Sequence, residues 1–315
     1  MEKRISRRAF VQTSAAMSAA IPLAFGAADS PLTSAPADGS GGMPCGKIGG
    51  QEFSRLMMGG NLIGGWAHAR DLSYVSMLMR HYNTPAKVRQ TLEIGEAHGI
   101  TAINTWVMDD NTQIFEHWKC GGKMKWFAQA RIDAAGGFSQ IQKAIDQGAV
   151  GVHLTGDSCE ALLTKGGFDK VGETVQFIKS QKRIAGVAAH DLQVIVECEK
   201  RGLDVDFYQK TLHSHDYFTA PEKDESGALG AHDNSWCQDP QEVVAVMAKV
   251  NKPWIAFKIL AAGAIHPRTA FPYAFKNGAD FILVGMFDWQ IEEDAKLAKR
   301  VATIVASGQR SRTWF

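Results

Sequence analysis

Eight short apolar segments recur along the chain, and each ends in polar or glycine-rich residues. They span residues 55–60, 101–106, 125–131, 148–156, 183–190, 204–212, 253–259 and 279–286, and stretches with helical periodicity follow most of them. Strand-length segments that alternate with helices favour βα units and a parallel sheet. Eight such units predict an α/β protein, a (β/α)8 TIM barrel whose catalytic side chains lie at the carboxyl ends of the strands.

Turn and capping signals agree with this pattern. Helix starts of the form N-cap residue followed by proline occur at residues 84–85, 239–240 and 266–267. Residues 46–54 carry two turn signals and predict a hairpin that covers the bottom of the barrel. Residues 61–82 and 213–238 are long loops on the catalytic side, and loops of that length are typical of lids and binding loops.

The amino-terminal residues predict export. Residues 1–28 combine Arg7 and Arg8 with a mild apolar stretch and are expected to be a twin-arginine-type signal peptide. Residues 29–44 predict a flexible spacer, and residues 45–315 a single TIM-barrel catalytic domain. We therefore expect a periplasmic or otherwise exported bacterial protein that engages the twin-arginine export machinery and keeps no stable membrane span after signal removal.

Charge and cysteine content narrow the partners. The chain has 34 Lys and Arg against 33 Asp and Glu, interspersed along the sequence, so no basic face indicates nucleic-acid binding. Five cysteines without CxxC spacing leave any disulfide pairing open. A small-molecule substrate is the expected partner.

Histidines and a lysine at strand ends are the candidate catalytic groups. We predict acid/base or electrophilic roles for His153, His190, His213 and Lys258. An alternative prediction is a divalent metal held by His190, His213 and His215. Asp191 and Asp216 would then serve as ligands or orient the imidazoles.

Polar and aromatic residues at the same strand ends predict a pocket for a polyhydroxylated or carboxylated ligand. The expected substrate-binding residues are Asn61, Asn104, Trp106, Gln129, Arg131, Thr211 and Trp236. Trp66 and Tyr217 are further rim aromatics that could stack on sugar faces. Lys210 has the opposite strand parity to Gln209 and is expected to point outward, towards helices or solvent.

Several segments resemble aldo/keto reductases. Residues 46–60 resemble the family's opening hairpin and first strand, and residues 97–105 are similar to its second-strand approach. Residues 186–190, 205–209 and 257–263 resemble its fifth, sixth and seventh strands. The order and spacing cover nearly the whole chain after the spacer, so the resemblance implies the aldo/keto-reductase barrel.

The resemblance also implies a nicotinamide-dependent carbonyl reductase that uses an Asp, a Tyr, a Lys and a His. In this chain Asn104 stands at the Asp position, no Tyr lies at residues 106–110, and residues 129–131 stand at the Lys position. His153 alone matches. The tyrosine donates a proton to the developing alkoxide, so its loss argues against ordinary reductase chemistry.

The family's cofactor-binding positions depart as well. Ala189 and His190 replace a Ser-Asn pair, and residues 287–289 replace basic residues that hold the adenosine phosphate. Gln209, which would contact the nicotinamide amide, is retained. A nicotinamide cofactor is therefore less expected, and a divalent metal is possible.

Three hypotheses follow. The first is an exported aldo/keto-reductase-like enzyme that acts on a sugar or sugar derivative by acid/base chemistry and is not a conventional NADPH reductase. The second is a metal-dependent lyase, isomerase or epimerase that uses the histidine cluster. The third is a non-catalytic barrel that binds a small molecule.

Overall fold

The computed structural model describes residues 42–69, 72–107, 112–221, 234–308 and 312. The predicted signal, residues 1–28, and most of the predicted spacer lie outside the described residues. In the part of the chain that is described, no helix is long and apolar enough to cross a membrane.

A hairpin followed by a closed eight-stranded parallel barrel forms the framework, as the sequence predicts. The hairpin consists of β1 (Cys45–Ile48) and β2 (Gln51–Ser54). The barrel strands are β3 (Leu56–Gly59), β4 (Ala102–Trp106), β5 (Lys125–Ala130), β6 (Gly151–Leu154), β7 (Ile184–Ala189), β8 (Phe207–Thr211), β9 (Trp254–Phe257) and β10 (Phe281–Val284). Each lies within one of the eight predicted segments, and β10 pairs with β3 to close the barrel.

Helices surround the barrel. They are α1 (Asn61–Gly64), α2 (Tyr74–Tyr82), α3 (Pro85–Ala97), α4 (Thr112–Lys119), α5 (Ser139–Asp146), α6 (Gly156–Thr164), α7 (Asp169–Ser180), α8 (Leu192–Lys200), α9 (Pro240–Met247), α10 (Pro267–Lys276) and α11 (Asp288–Ser307). The three predicted proline starts are confirmed: Thr84, Asp239 and His266 each accept a backbone N–H of the first turn. The expectation of a long loop at residues 61–82 is corrected, because α1 and α2 form there.

The lower barrel interior is an aromatic core that the hairpin covers, as predicted. Ile48 and Phe53 are fully buried, and the ring centroids of Phe53 and Phe127 lie 4.9 Å apart. Glycines on two strands make room for these large rings: a Cβ on Gly151 would lie 2.6 Å from the Phe127 ring, and one on Gly186 would lie 2.2 Å from the Phe207 ring. The core therefore fills the bottom of the barrel and leaves the upper end for a site.

Lys210 lies on the outer side of the barrel wall, as its parity predicts, but it does not reach solvent. Its side chain is fully buried, and its ammonium donates to Thr211 Oγ1 at 2.6 Å and to the Thr211 carbonyl at 3.2 Å. Burial lowers the pKa of this lysine. Of the two expected surroundings, helices or solvent, the helices therefore apply, because they cover the wall of the barrel here.

A buried ion pair ties the end of the chain to the barrel. Arg312 donates to Asp280 Oδ2 at 3.0 Å, and both side chains are almost completely buried. The same carboxylate oxygen accepts the backbone N–H of Trp254 at 2.9 Å. Arg55 donates to the Asp280 carbonyl at 3.0 Å. One residue thus joins two neighbouring strands and the carboxyl-terminal segment.

We expect Asp280→Asn to lower the free energy of unfolding by about 3 kcal/mol, because it leaves a buried guanidinium without its counter-charge. Urea denaturation would measure the loss. The control is Glu293→Gln, which breaks the exposed Arg268–Glu293 pair (2.8 Å) and should cost less than about 1 kcal/mol. Equal losses in the two variants would contradict the assigned role of Asp280.

Candidate functional site

A cavity of about 520 Å³ opens at the carboxyl ends of the barrel strands. Eight of the predicted site residues line it: Asn61, Trp106, Gln129, Arg131, His190, Gln209, Trp236 and Lys258. Five others are not among its lining residues: Asn104, His153, Thr211, His213 and His215. The volume is within the range typical of small-molecule sites.

A network of amides and one imidazole lies between the aromatic core and the cavity. Asn104 Nδ2 donates to His153 Nε2 at 2.8 Å and to Gln209 Oε1 at 3.1 Å. His153 Nδ1 donates to the Leu154 carbonyl at 3.0 Å. Among the described residues, the buried Oδ1 of Asn104 has no hydrogen-bond partner. Gln209 is the member of this network that reaches the cavity.

His153 is therefore a neutral imidazole with both ring nitrogens engaged. It is fully buried, and burial lowers its pKa to about 4. An imidazole in this state, away from the cavity surface, cannot readily exchange a proton with a ligand there. The structure places His153 beneath the cavity and not among its lining residues, so the acid/base role stays a prediction.

His190 lies at the cavity wall and is paired with Glu160. Its Nδ1 is 3.2 Å from Glu160 Oε1, which also accepts the backbone N–H groups of His190 at 2.6 Å and Asp191 at 2.9 Å. Burial alone would raise the pKa of Glu160, but the hydrogen bonds from His190 and Asp191 lower it below its ordinary value. The carboxylate stays ionised and fixes the Nδ1–H tautomer, so Nε2 is available as a base.

Packing fixes the ring of His190 in the cavity. Its centroid lies 4.7 Å from that of Trp236 and 5.4 Å from that of Phe257. A Cβ on Gly156 would lie 2.8 Å from His190 Nδ1, so glycine at the start of α6 leaves room for the imidazole. Sequence analysis selected His190 but missed Glu160, which α6 brings to the end of β7.

Lys258 and His68 form another polar part of the cavity wall. The Nζ of Lys258 lies 3.1 Å from His68 Nε2 and 3.7 Å from the centroid of the Trp236 ring. The ammonium donates to Nε2 of a neutral His68, because a lysine has no acceptor. Lys258 and His68 have left-handed backbone torsions, with φ of 56° and 48° respectively. Such strain in non-glycine residues clusters at functional sites.

The sequence offered only an indirect signal for His68. It lies between α1 and α2, in the long segment expected to act as a lid or binding loop. The contact with Lys258 joins residues separated by 190 positions, so neither residue's neighbours in the sequence reveal it.

The predicted metal-binding histidines do not form a ligand group, although the ring centroids of His213 and His215 lie 5.9 Å apart. His213 is fully buried; its Nδ1 donates to the Ser214 carbonyl at 2.9 Å and its Nε2 accepts the Trp236 N–H at 2.9 Å. His215 Nε2 lies 2.6 Å from the Cys237 carbonyl and donates to it. Across the described ranges, no group of three His, Cys, Asp or Glu side chains could hold a metal ion.

Three further residues singled out in the sequence, Thr211, Asp191 and Asp216, lie outside the cavity lining. Thr211 Oγ1 lies 2.9 Å from the Trp236 carbonyl and 3.3 Å from the His190 carbonyl, so it holds the segment that carries Trp236. Asp191 caps α8 through Gln193 N at 2.8 Å, and Asp216 is exposed to solvent. None of these three residues lines the cavity, and it is Thr211 that bonds to the segment that carries Trp236.

The residues that would hold a nicotinamide dinucleotide in an aldo/keto reductase do not fit one here. His190 replaces an amide and is engaged by Glu160. Where basic residues would contact the adenosine phosphate, Asp288 accepts hydrogen bonds from Tyr82 at 2.6 Å and from Lys87 at 2.9 Å. These bonds outweigh the effect of burial and lower the pKa of Asp288, so an ionised carboxylate paired with Lys87 stands at this position.

Buried neutral histidines make folding stability depend on pH. Burial holds the pKa of both His153 and His213 at about 4, below the ordinary 6.5. Between these pH values the unfolded chain binds protons that the folded chain excludes, so the free energy of unfolding should fall as pH drops from 6.5 to 4. The expected loss is about 3 kcal/mol for each histidine.

Urea denaturation between pH 4 and 8 would measure this slope, which should be shallower in His213→Gln. His81→Gln, at an exposed position, is the control and should keep the wild-type slope. An unchanged slope in His213→Gln would show that this imidazole is protonated in the folded protein.

Comparison with known proteins supports the fold. No protein-family model matches the chain, and no curated protein sequence does. A structure described as a candidate aldo-keto reductase from Pseudomonas aeruginosa is 14% identical with a TM-score of 0.57, covering 82% of this chain and 94% of that chain. The BexX/CysO complex from Amycolatopsis orientalis is 13% identical with a TM-score of 0.50, covering 85% and 98%. The chain thus shares the barrel of aldo-keto-reductase-like structures, and identities this low show the fold alone.

Proposed function

We propose that this chain is an enzyme that transfers a proton on a sugar or sugar derivative, with His190 as the base. The observation that carries the proposal is the His190–Glu160 pair in the cavity wall (Nδ1 to Oε1, 3.2 Å). An imidazole oriented by a carboxylate through Nδ1 has its Nε2 lone pair free to accept a proton and return it.

Lys258 supplies the complementary charge. Removal of a proton from carbon next to a carbonyl places negative charge on the carbonyl oxygen, and a fixed cation in the same cavity stabilises that charge. Two contacts hold the ammonium in place: His68 Nε2 lies 3.1 Å from Nζ, and the centroid of the Trp236 ring lies 3.7 Å from it. Proton transfer by His190 and charge stabilisation by Lys258 together suit isomerisation, epimerisation or elimination.

The cavity lining favours a polyhydroxylated substrate. Gln129 and Gln209 present amides, and aromatic side chains such as Trp236 form apolar walls. Amides donate to and accept from hydroxyl groups, while indole rings contact the apolar faces of sugar rings. The metal-dependent alternative lacks a ligand group in the described part of the chain.

The test is solvent exchange. The full chain is incubated in D2O with a panel of aldoses, ketoses, sugar acids and reducing disaccharides, and proton NMR follows loss of the C–H signal beside the carbonyl. We expect exchange on at least one panel member, and about a hundredfold slower exchange in His190→Gln. Lys258→Met should also slow exchange.

Matched controls are His98→Gln, at the end of α3, and Lys249→Met, at an exposed position after α9. Both should keep the wild-type rate. Gly156→Ala tests the position of His190 without removing a functional group, and it should slow exchange because its Cβ would displace the imidazole. No exchange with any panel member, or wild-type exchange in His190→Gln, would refute the proposal.

We also propose that the protein is exported through its amino-terminal residues. Arg7 and Arg8 precede the apolar stretch of the predicted signal. Replacing both with lysine should retain the chain in the cytoplasm, as measured by fractionation of cells that express the full chain. Export of this double variant at the wild-type level would contradict twin-arginine-dependent transport.

A further inference from the structure

The cavity has two sides that come from different parts of the barrel. One side is the one assigned to proton transfer. His190 follows β7, Lys258 follows β9, and Trp236 lies in the loop between β8 and β9. The other side comes from β4 to β6 and the segments that follow β3, β5 and β6. Because β3 to β6 are consecutive neighbours in the closed barrel, their carboxyl ends form one continuous half of its rim.

An aromatic pair dominates this second half. Trp66 and Trp106 both line the cavity, with ring centroids 6.4 Å apart and an interplanar angle of 38°. Trp66 is 52% exposed. An indole left open to solvent beside a cavity presents an apolar surface that a ligand can cover.

The exposed indole is also held in place. The backbone N–H of Trp66 donates to the Asn61 carbonyl at 2.9 Å. A Cβ on Gly64 would lie 2.8 Å from Trp66 Cδ1, so the chain has glycine where any side chain would move the ring. Asn83 Nδ2 donates to the Leu62 carbonyl at 2.8 Å and fixes α1 itself. These backbone bonds fix the chain on both sides of Trp66, and Gly64 leaves room for its half-exposed ring.

A charge pair completes this half of the cavity. Arg131 and Asp157 form an ion pair, both line the cavity, and their side chains are 52% and 53% exposed. The guanidinium lies 4.9 Å from the centroid of the Trp106 ring. The pair offers planar donors and a carboxylate acceptor, and its charges cancel. It therefore suits neutral hydroxyl groups better than a phosphate or another anion.

We propose that this half of the cavity is a second sugar subsite, so that the substrate is a disaccharide whose reacting unit has a free carbonyl, rather than a free monosaccharide. One ring reaches His190 and Lys258, while the second packs on Trp66 and Trp106 and bonds through its hydroxyls to Arg131 and Asp157. The assignment of the reacting ring rests on the proposed function. The binding of the second ring rests on the aromatic pair and the ion pair.

Isothermal titration calorimetry of the full chain would test the subsite with matched probes. Cellobiose and gentiobiose are compared with methyl β-glucoside, lactose with methyl β-galactoside, and maltose with methyl α-glucoside. We expect at least one disaccharide to bind about tenfold more tightly than the matching methyl glycoside. Trp66→Ala should remove that difference. Trp289→Ala is the control, because Trp289 is 69% exposed and does not line the cavity.

Gly64→Ala provides a second variant in which Trp66 is displaced but retained, and it should also reduce the preference for the disaccharide. The proposal is overturned if no disaccharide binds, if each binds no better than its methyl glycoside, or if Trp66→Ala matches Trp289→Ala. The two proposals are tested by different variants: His190→Gln should slow proton exchange about a hundredfold, and Trp66→Ala should remove the disaccharide preference. A disaccharide preference without exchange on any substrate would reject the proposed function alone.

Discussion

The two hydrogen bonds donated by the buried amide of Asn104 are the constraint on which the site depends. They run across the barrel interior to His153 and Gln209, at 2.8 Å and 3.1 Å. Below them the interior is phenylalanine-rich, and above them it opens to the cavity. The hydrogen bonds stabilise these polar groups at this depth, and the bond from Asn104 engages Nε2 of His153 as an acceptor. His190 and Lys258, higher in the wall, line the cavity.

The carboxyl ends of the strands supply the frame for those groups, and helices and loops supply their partners. His190 ends β7, while Glu160 comes from α6 and Trp236 from the segment before α9. Lys258 follows β9, and His68 comes from the segment after β3. His190 and Lys258 are therefore each in contact with a residue from another βα unit. A barrel can keep its strands while the chemistry changes through such partners.

Sequence patterns predicted the framework well because they depend on local alternation and capping. The eight strands, the hairpin and the three proline-initiated helices are all confirmed. Position at the carboxyl ends of strands also indicated His190, Gln209 and Lys258, which line the cavity. The same argument failed for His213, which lies in the loop two residues past β8, where two backbone groups engage both ring nitrogens. Glu160 and His68 were missed because their partners are distant in sequence, and no local pattern reports such contacts.

The backbone between Lys258 and Gly263 restricts which residues can occupy this segment. Lys258, Ala261, Ala262 and Gly263 all have positive φ, between 44° and 92°. Branched side chains are strongly disfavoured in that region of backbone space, although Ala262 and Gly263 are exposed to solvent. Among related chains, small residues would recur at these two exposed positions even if no ligand ever touched them. Their recurrence would record the torsion angles needed to turn the chain past Lys258, independently of the fact that both residues line the cavity.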